Sequence, residues 1–262
     1  MFVFEITTPG TWLDYEDREW SFRIQDLLRN TQSQFVEASV ALNLFVQVQA
    51  ARSSGLDRDS WARDSQRRSE IAQQVEREMG AVLSRDHLNE VNFEAEVRFK
   101  REQWSQGRVP REYEHRLPFI YARAFLSALD TFDKFLGVLS REAKVPVEIT
   151  ELHAQFAVAF PDLRAVRNTV QHLEDRARGL GAGRDPKPMK LKPIETEMIS
   201  APSGGVLVLN NLNGSRYGST TADGHYGEVD VSPESMQRLQ QILHSVLQCF
   251  RWRGSKQHSP SA

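Results

Sequence analysis

Residues 115–142 constrain the fold more than any other segment. Leu117, Ile120, Ala124, Leu126, Ala128, Leu129, Phe132, Phe135, Leu136 and Leu139 recur at helical spacing and make a wide apolar face. An isolated helix cannot cover such a face from water, so other elements must pack around it. The neighbouring sequence supplies them. From about Tyr15 to Arg52, Leu27, Leu28, Phe35, Leu42 and Phe45 repeat at spacings near three, four and seven, and Ser53-Ser54-Gly55 breaks the run. Residues 148–160 carry Leu152, Phe156, Ala159 and Phe160. Pro161-Asp162 then opens a further helix, expected over 162–178, with Leu163, Val166, Val170 and Leu173 inward; Gly179, Gly181 and Gly183 end it.

Two regions depart from this pattern. Residues 57–107 are rich in Arg, Glu and Gln, with sparse apolar positions (Ile71, Val75, Met79, Val82, Leu83, Leu88, Val91, Phe93, Val97, Phe99). They predict a long, partly exposed helix broken near Ser84-Arg85-Asp86, its charges forming a solvated face or a docking surface. After a Pro/Lys-rich connector the period changes from helical to alternating. Val206–Leu209 reads as a strand, Asn213-Gly214 as a hairpin turn, Arg216–Thr221 as a second strand, Asp223-Gly224 as a turn and Tyr226–Val231 as a third strand. Ser232-Pro233 then caps and starts a helix whose inward residues are Met236, Leu239, Ile242, Leu243, Val246, Leu247 and Phe250. Residues 1–10 suggest a short strand or extended arm.

Composition excludes several classes. The single cysteine, Cys249, rules out an intramolecular disulfide and a cysteine metal cluster, and it fits a reducing compartment. The first residues, Met1-Phe2-Val3-Phe4-Glu5-Ile6, lack the basic and apolar regions of a signal peptide. No stretch reaches the roughly 18 uncharged apolar residues of a membrane span. A cytoplasmic chain without a membrane is the expectation. The net charge of −2 advertises no nucleic-acid partner globally, so such a partner would be met by a local patch.

One segment has a chemical reading: Arg167-Asn168-Thr169-Val170-Gln171-His172. On a helix Asn168 and His172 lie about 40° apart around the axis and share a face, with Arg167 near enough to curl toward it. A guanidinium grips phosphate with a planar fork and stays charged; a histidine moves a proton near neutrality; Asn168 would orient the imidazole or the substrate. Arginine–histidine spacing alone is weak evidence among 26 arginines and 7 histidines. Arg108–His115, Arg238–His244 and Arg253–His258 have comparable spacings, but none has a polar residue after the arginine inside an amphipathic helix. The plainer alternative is an arginine paired to Asp162 or Glu174 and a helix-face histidine.

The segment resembles the R-x4–6-H motif of the HEPN superfamily, in which a polar residue follows the arginine. Ala122-Arg123-Ala124-Phe125-Leu126-Ser127-Ala128-Leu129-Asp130 is similar to the preceding core helix of such proteins. The resemblance covers roughly 115–178 and implies a mainly α fold: a HEPN-like helical bundle with a small antiparallel three-stranded β-meander and a C-terminal helix appended. It also implies a metal-independent endoribonuclease without cofactor, with Arg167, Asn168 and His172 catalytic and two copies of the motif facing each other in a homodimer. A toxin or defence role, with a cognate antitoxin or regulatory protein as partner, would follow. The alternative is a non-catalytic helical module that binds RNA, nucleotide or a protein.

Around the motif, residues 161–192 hold eight basic residues against four acidic ones. Arg164, Arg176, Arg178, Lys187, Lys190 and Lys192 are therefore candidates for contact with an RNA backbone. His225, near Asp223 and Glu228, has poor spacing for a metal site. Tyr217 and Tyr226 suit cross-strand packing better than base stacking. The expected organisation is a helical HEPN-like domain over 11–180 (core about 115–178), a connector at 181–204, the meander plus C-terminal helix over 205–250 packed on the bundle, and a flexible tail at 251–262.

Overall fold

The computed structural model describes residues 1–52, 58–80 and 84–261. The expected break at Ser53-Ser54-Gly55 and the apolar Val82 and Leu83 lie outside the described residues. The chain is mainly helical with small antiparallel sheets, and no described helix is long and apolar enough to cross a membrane. It divides into two compact units: Met1–Gln47 with Pro118–Ala262, and Val48–Leu117. The polar region thus separates from the rest. The connector marks no boundary, and the meander and C-terminal helix belong to the larger unit.

In the larger unit the helices are α1 (Arg18–Arg52, which runs on past the division), α4 (Arg111–Leu139, which enters from the other unit), α5 (Glu148–Ala159), α6 (Leu163–Gln171), α7 (Leu173–Ala177) and α8 (Pro233–Gln248). The smaller unit holds α2 (Arg58–Met79) and α3 (Arg85–Ser105), and the start of α4. Its helical hairpin closes on Ile71, Val75, Val91, Ala95 and Phe99. The predicted break is where α3 begins, with the Ser84 hydroxyl accepting from the His87 N–H.

The α4 face is rotated from the expected one. Ala122 and Phe125 are buried, whereas Ile120 is 46% exposed and Ala124 faces solvent. Leu126, Leu129, Phe132, Leu136 and Leu139 are buried as expected, and Phe132 stacks on Phe156 of α5 at 5.6 Å between ring centres. The α8 pattern holds at every position: Met236, Leu239, Ile242, Leu243, Val246, Leu247 and Phe250 are all buried. Each such side chain contributes about 1.5–3 kcal/mol of burial energy.

The three-stranded sheet runs β5 (Asn211–Asn213), β6 (Arg216–Thr220), β7 (Tyr226–Asp230), antiparallel throughout. Its first strand lies later than predicted. Residues 206–209 are irregular, although the Val208 carbonyl still accepts from Thr220 N–H at 2.7 Å. Asn213 pairs with Arg216, so the turn residues are Gly214 and Ser215. The connector holds one small ladder, β3 (Ile194–Glu195) with β4 (Ser200–Ala201). The C-terminal segment, expected as a flexible tail, instead returns to the N-terminal arm. Strand β8 (Trp252–Arg253) pairs with β2 (Trp12–Leu13), and β9 (Gln257–Ser259) with β1 (Ile6–Thr8).

Candidate functional site

The expected helix 162–178 is two helices. It breaks at His172, where φ is −119° and ψ is 41°. His172 therefore closes α6 and precedes α7 rather than riding on the face of a continuous helix. Its N–H still donates to the Asn168 carbonyl at 3.1 Å, and its own carbonyl accepts from the Arg176 N–H at 3.2 Å.

Helix α6 is held at its start by an acid. Asp162 occupies the N-cap position but gives no side-chain cap. Its Oδ2 accepts from the Glu228 N–H at 3.2 Å, and its Oδ1 lies 3.3 Å from His225 Nε2. Gly227 makes room for this approach, since a Cβ there would stand 3.0 Å from Asp162 Cγ. Leu163, Val166 and Thr169 are buried beneath α6, which lies on β6 and β7.

One turn further on, Arg167 Nε lies 3.1 Å from Asp130 Oδ2 on α4. The Asp130 side chain is 4% exposed and that of Arg167 22%. Lys134 Nζ meets the same carboxylate at 2.6 Å. Neither cation meets Oδ2 with hydrogen-bond geometry, so charge holds the cluster. Arg167 Nη1 donates to Asn168 Oδ1 at 3.3 Å and to Gln171 Oε1 at 2.5 Å. The partner is Asp130, not the Asp162 or Glu174 considered from sequence.

The fold thus brings Arg167 and Asn168 together. His172 is exposed, and among the described residues no hydrogen bond or ion pair joins its ring to either. One ligand atom each from His172, Glu174 and Asp175 fall within 4.8 Å of one another, a spacing open to a cation. Asp175, however, is already paired with Arg178 at 2.5 Å.

The expected phosphate-contacting residues divide into three groups. Arg164, Lys187 and Lys190 are exposed and form no ion pair among the described residues. Arg178 and Lys192 are exposed but paired, to Asp175 at 2.5 Å and to Asp223 at 2.6 Å. Arg176 does not reach the surface. It is 2% exposed, and its Nη1 donates to the carbonyls of Leu180 and Gly181 at 2.7 and 2.5 Å. Those carbonyls lie just past the end of α7, where backbone acceptors are left over and a guanidinium completes the turn.

His225 sits between two carboxylates, the expected Asp223 and, in place of Glu228, Asp162. Asp223 Oδ1 lies 2.7 Å from Nδ1 and Asp162 Oδ1 3.3 Å from Nε2. The Lys192 ammonium and, after it, the Thr221 hydroxyl hold Asp223 well below the usual carboxylate range. Tyr217 is fully buried with its hydroxyl donating to Asn210 Oδ1 at 2.6 Å, and Tyr226 accepts from Asn211 Nδ2. Both belong to the sheet's packing.

No protein-family model, curated protein or solved structure matches the chain. The site stands on its own geometry.

Proposed function

We propose that the chain is a metal-independent endoribonuclease of HEPN type, cytoplasmic and homodimeric. The observation that carries this reading is Arg167, oriented from behind by Asp130 at 3.1 Å and flanked by Asn168, with an exposed histidine at the helix end beyond them. In such a reaction the 2′-oxygen attacks the adjacent phosphorus and the 5′-oxygen leaves, giving a 2′,3′-cyclic phosphate and a 5′-hydroxyl. Arg167 would stabilise the charge that grows on the phosphoryl oxygens. Asn168 would orient the reacting group. His172 would move one proton. The attack and the departure each need a proton transferred, and one histidine supplies one group at a time. A second copy of the chain would provide the other. A toxin or defence role with a cognate regulator is the setting the motif's resemblance suggests.

The test is total RNA incubated with wild type, His172→Ala and Arg167→Lys, with and without EDTA, followed by end-group analysis. Cyclic phosphate ends that survive EDTA, and a loss of about 100-fold or more in His172→Ala, are the expected results. Wild-type cleavage by both variants in matched preparations would overturn the assignment.

A non-catalytic RNA-binding module is the second reading. It is favoured by Arg167 being already engaged with Asp130, Asn168 and Gln171. It predicts saturable RNA binding without turnover.

A further inference from the structure

We infer that the smaller unit carries a nucleotide-binding cleft, formed by α2, α3 and the start of α4. A cavity of about 700 Å³ opens there, within the ~300–1,000 Å³ span of small-ligand sites. Its walls combine aromatic side chains with charges of both signs, the cations in excess by one. Trp104 and Tyr113 line it while 48% and 66% exposed, which leaves much of two large aromatic residues in contact with water. Arg68, Lys100, Arg108 and Arg111 bring positive charge to it against the carboxylates of Asp64, Glu96 and Glu112, with Arg108 paired to Asp64 at 2.6 Å.

Arg68 is the most constrained of these. Its guanidinium carbon sits 4.3 Å above the ring of the buried Phe99. Its Nε lies 3.4 Å from Glu96 Oε2 but finds no hydrogen-bond partner among the described residues, although the atom is buried. Charge, not a hydrogen bond, therefore holds this guanidinium at the wall of the cavity. Lys100 shares the same Glu96 at 3.4 Å. Arg111 is exposed and forms no ion pair among the described residues. It is also the first residue of α4. The first backbone bonds there are made by Tyr113 and Glu114 to the Pro110 carbonyl, so the amides of Arg111 and Glu112 precede them.

The mixture selects the ligand. Inorganic phosphate has no use for two exposed aromatic side chains, and an apolar ligand has none for a wall with cations in excess. A nucleotide has both a flat base and an anionic end, and stacking on Trp or Tyr with phosphate gripped by Arg is how such units are held. The unit is either a free nucleotide or one residue of a single strand. This cleft goes beyond the ribonuclease reading and depends on none of its residues.

The experiment titrates the full-length protein with AMP, adenosine, inorganic phosphate and a 2′-O-methylated oligoadenylate, followed by calorimetry. The 2′-O-methyl group removes the attacking hydroxyl, so cleavage cannot enter. AMP is expected to saturate below about 1 mM and to bind more tightly than adenosine or phosphate. An oligomer much tighter than AMP, with the gain lost in Trp104→Ala, identifies the single strand as the source; equal affinities, or a gain that Trp104→Ala leaves intact, identify the free nucleotide. Trp104→Ala and, independently, Arg111→Gln are each expected to weaken AMP binding by about fivefold or more. Both altered positions are exposed, so the variants should melt like wild type. Absence of saturation by AMP and by the oligomer, or binding indifferent to both cleft variants, overturns the proposal.

Discussion

Replacing Asp130 with asparagine tests whether the centre of the site is a structural ion cluster, a positioning device or both. The substitution keeps the shape and removes one charge that is 4% exposed and faces Arg167 Nε at 3.1 Å and Lys134 Nζ at 2.6 Å. Removing one partner of a fully buried pair costs about 3–5 kcal/mol, because the other charge stays buried and unpaired. Here both cations have an escape. The Lys134 side chain is 57% exposed and can turn to water, and Arg167, at 22%, keeps its bonds to Asn168 and Gln171. The expected loss is therefore lower, about 1–3 kcal/mol. For a chain of this length that is a fall in Tm of roughly 2–10 °C. Urea unfolding of wild type, Asp130→Asn, Arg167→Gln and the double variant gives the interaction directly. Residues in one ion cluster should couple by about 0.5–3 kcal/mol. Additive single changes, or an Asp130→Asn loss under about 0.5 kcal/mol, would refute the cluster's role in holding Arg167. RNA cleavage measured on the same four proteins separates the roles: if Asp130 aims Arg167, Asp130→Asn lowers cleavage while the arginine is still present and the protein still folded.

Gly224→Ala should destabilise strongly. Its φ is +84°, and a Cβ would run into the Lys190 carbonyl oxygen. The left-handed backbone alone costs about 1–3 kcal/mol, and the clash adds to it. Lowered Tm with loss of the Lys192 N–H bond to the Gly224 carbonyl, followed by amide exchange, is the check. In alkali, burial pushes the Tyr217 and Tyr226 hydroxyls up to about 12. Because the folded values are raised above the ordinary value near 10, this contribution to stability is intact below about pH 10 and is lost between about 10 and 12. Tyrosinate absorbance should show these two residues ionising late, and Tyr217→Phe should flatten the alkaline fall.

Some of this architecture is written locally and some is not. The α8 helix is legible at every inward position because an amphipathic period, a serine cap and a first-turn proline all agree. The α2–α3 break is legible because Ser84 caps the second of the two helices. The break at His172 is not. The apolar period Leu163, Val166, Val170, Leu173 runs straight through it, and no glycine or proline stands at the junction. Asp130 left one trace, an acid inside an apolar face with Lys134 four positions on, but its other partner, Arg167, lies 37 positions away on another helix. The C-terminal strands escape notice because residues 251–262 carry too little apolar pattern to be read as strands, and their partners stand at the opposite end of the sequence.

Burial redistributes the arginines and lysines around the motif, and the redistribution is countable. The sequence points six cations at an RNA backbone. Arg176 is inside, closing the turn at Leu180 and Gly181, while Arg178 and Lys192 are neutralised by Asp175 and Asp223. Three remain: Arg164, Lys187 and Lys190. For single-stranded RNA each neutralised phosphate contributes about −0.7 to the slope of log K against log salt. Six contacts would give a contribution of about −4, three only about −2. The difference in slope between wild type and the triple variant Arg164→Gln, Lys187→Gln, Lys190→Gln isolates that contribution from any other RNA-binding surface. A difference of about 2 is expected. Arg176→Gln should leave the slope unchanged while lowering stability, since its guanidinium meets backbone carbonyls and not solvent. A slope that drops by a further ~0.7 in a folded Arg176→Gln protein would mean that this arginine leaves its turn to reach RNA, and that the buried arrangement is not the one RNA meets.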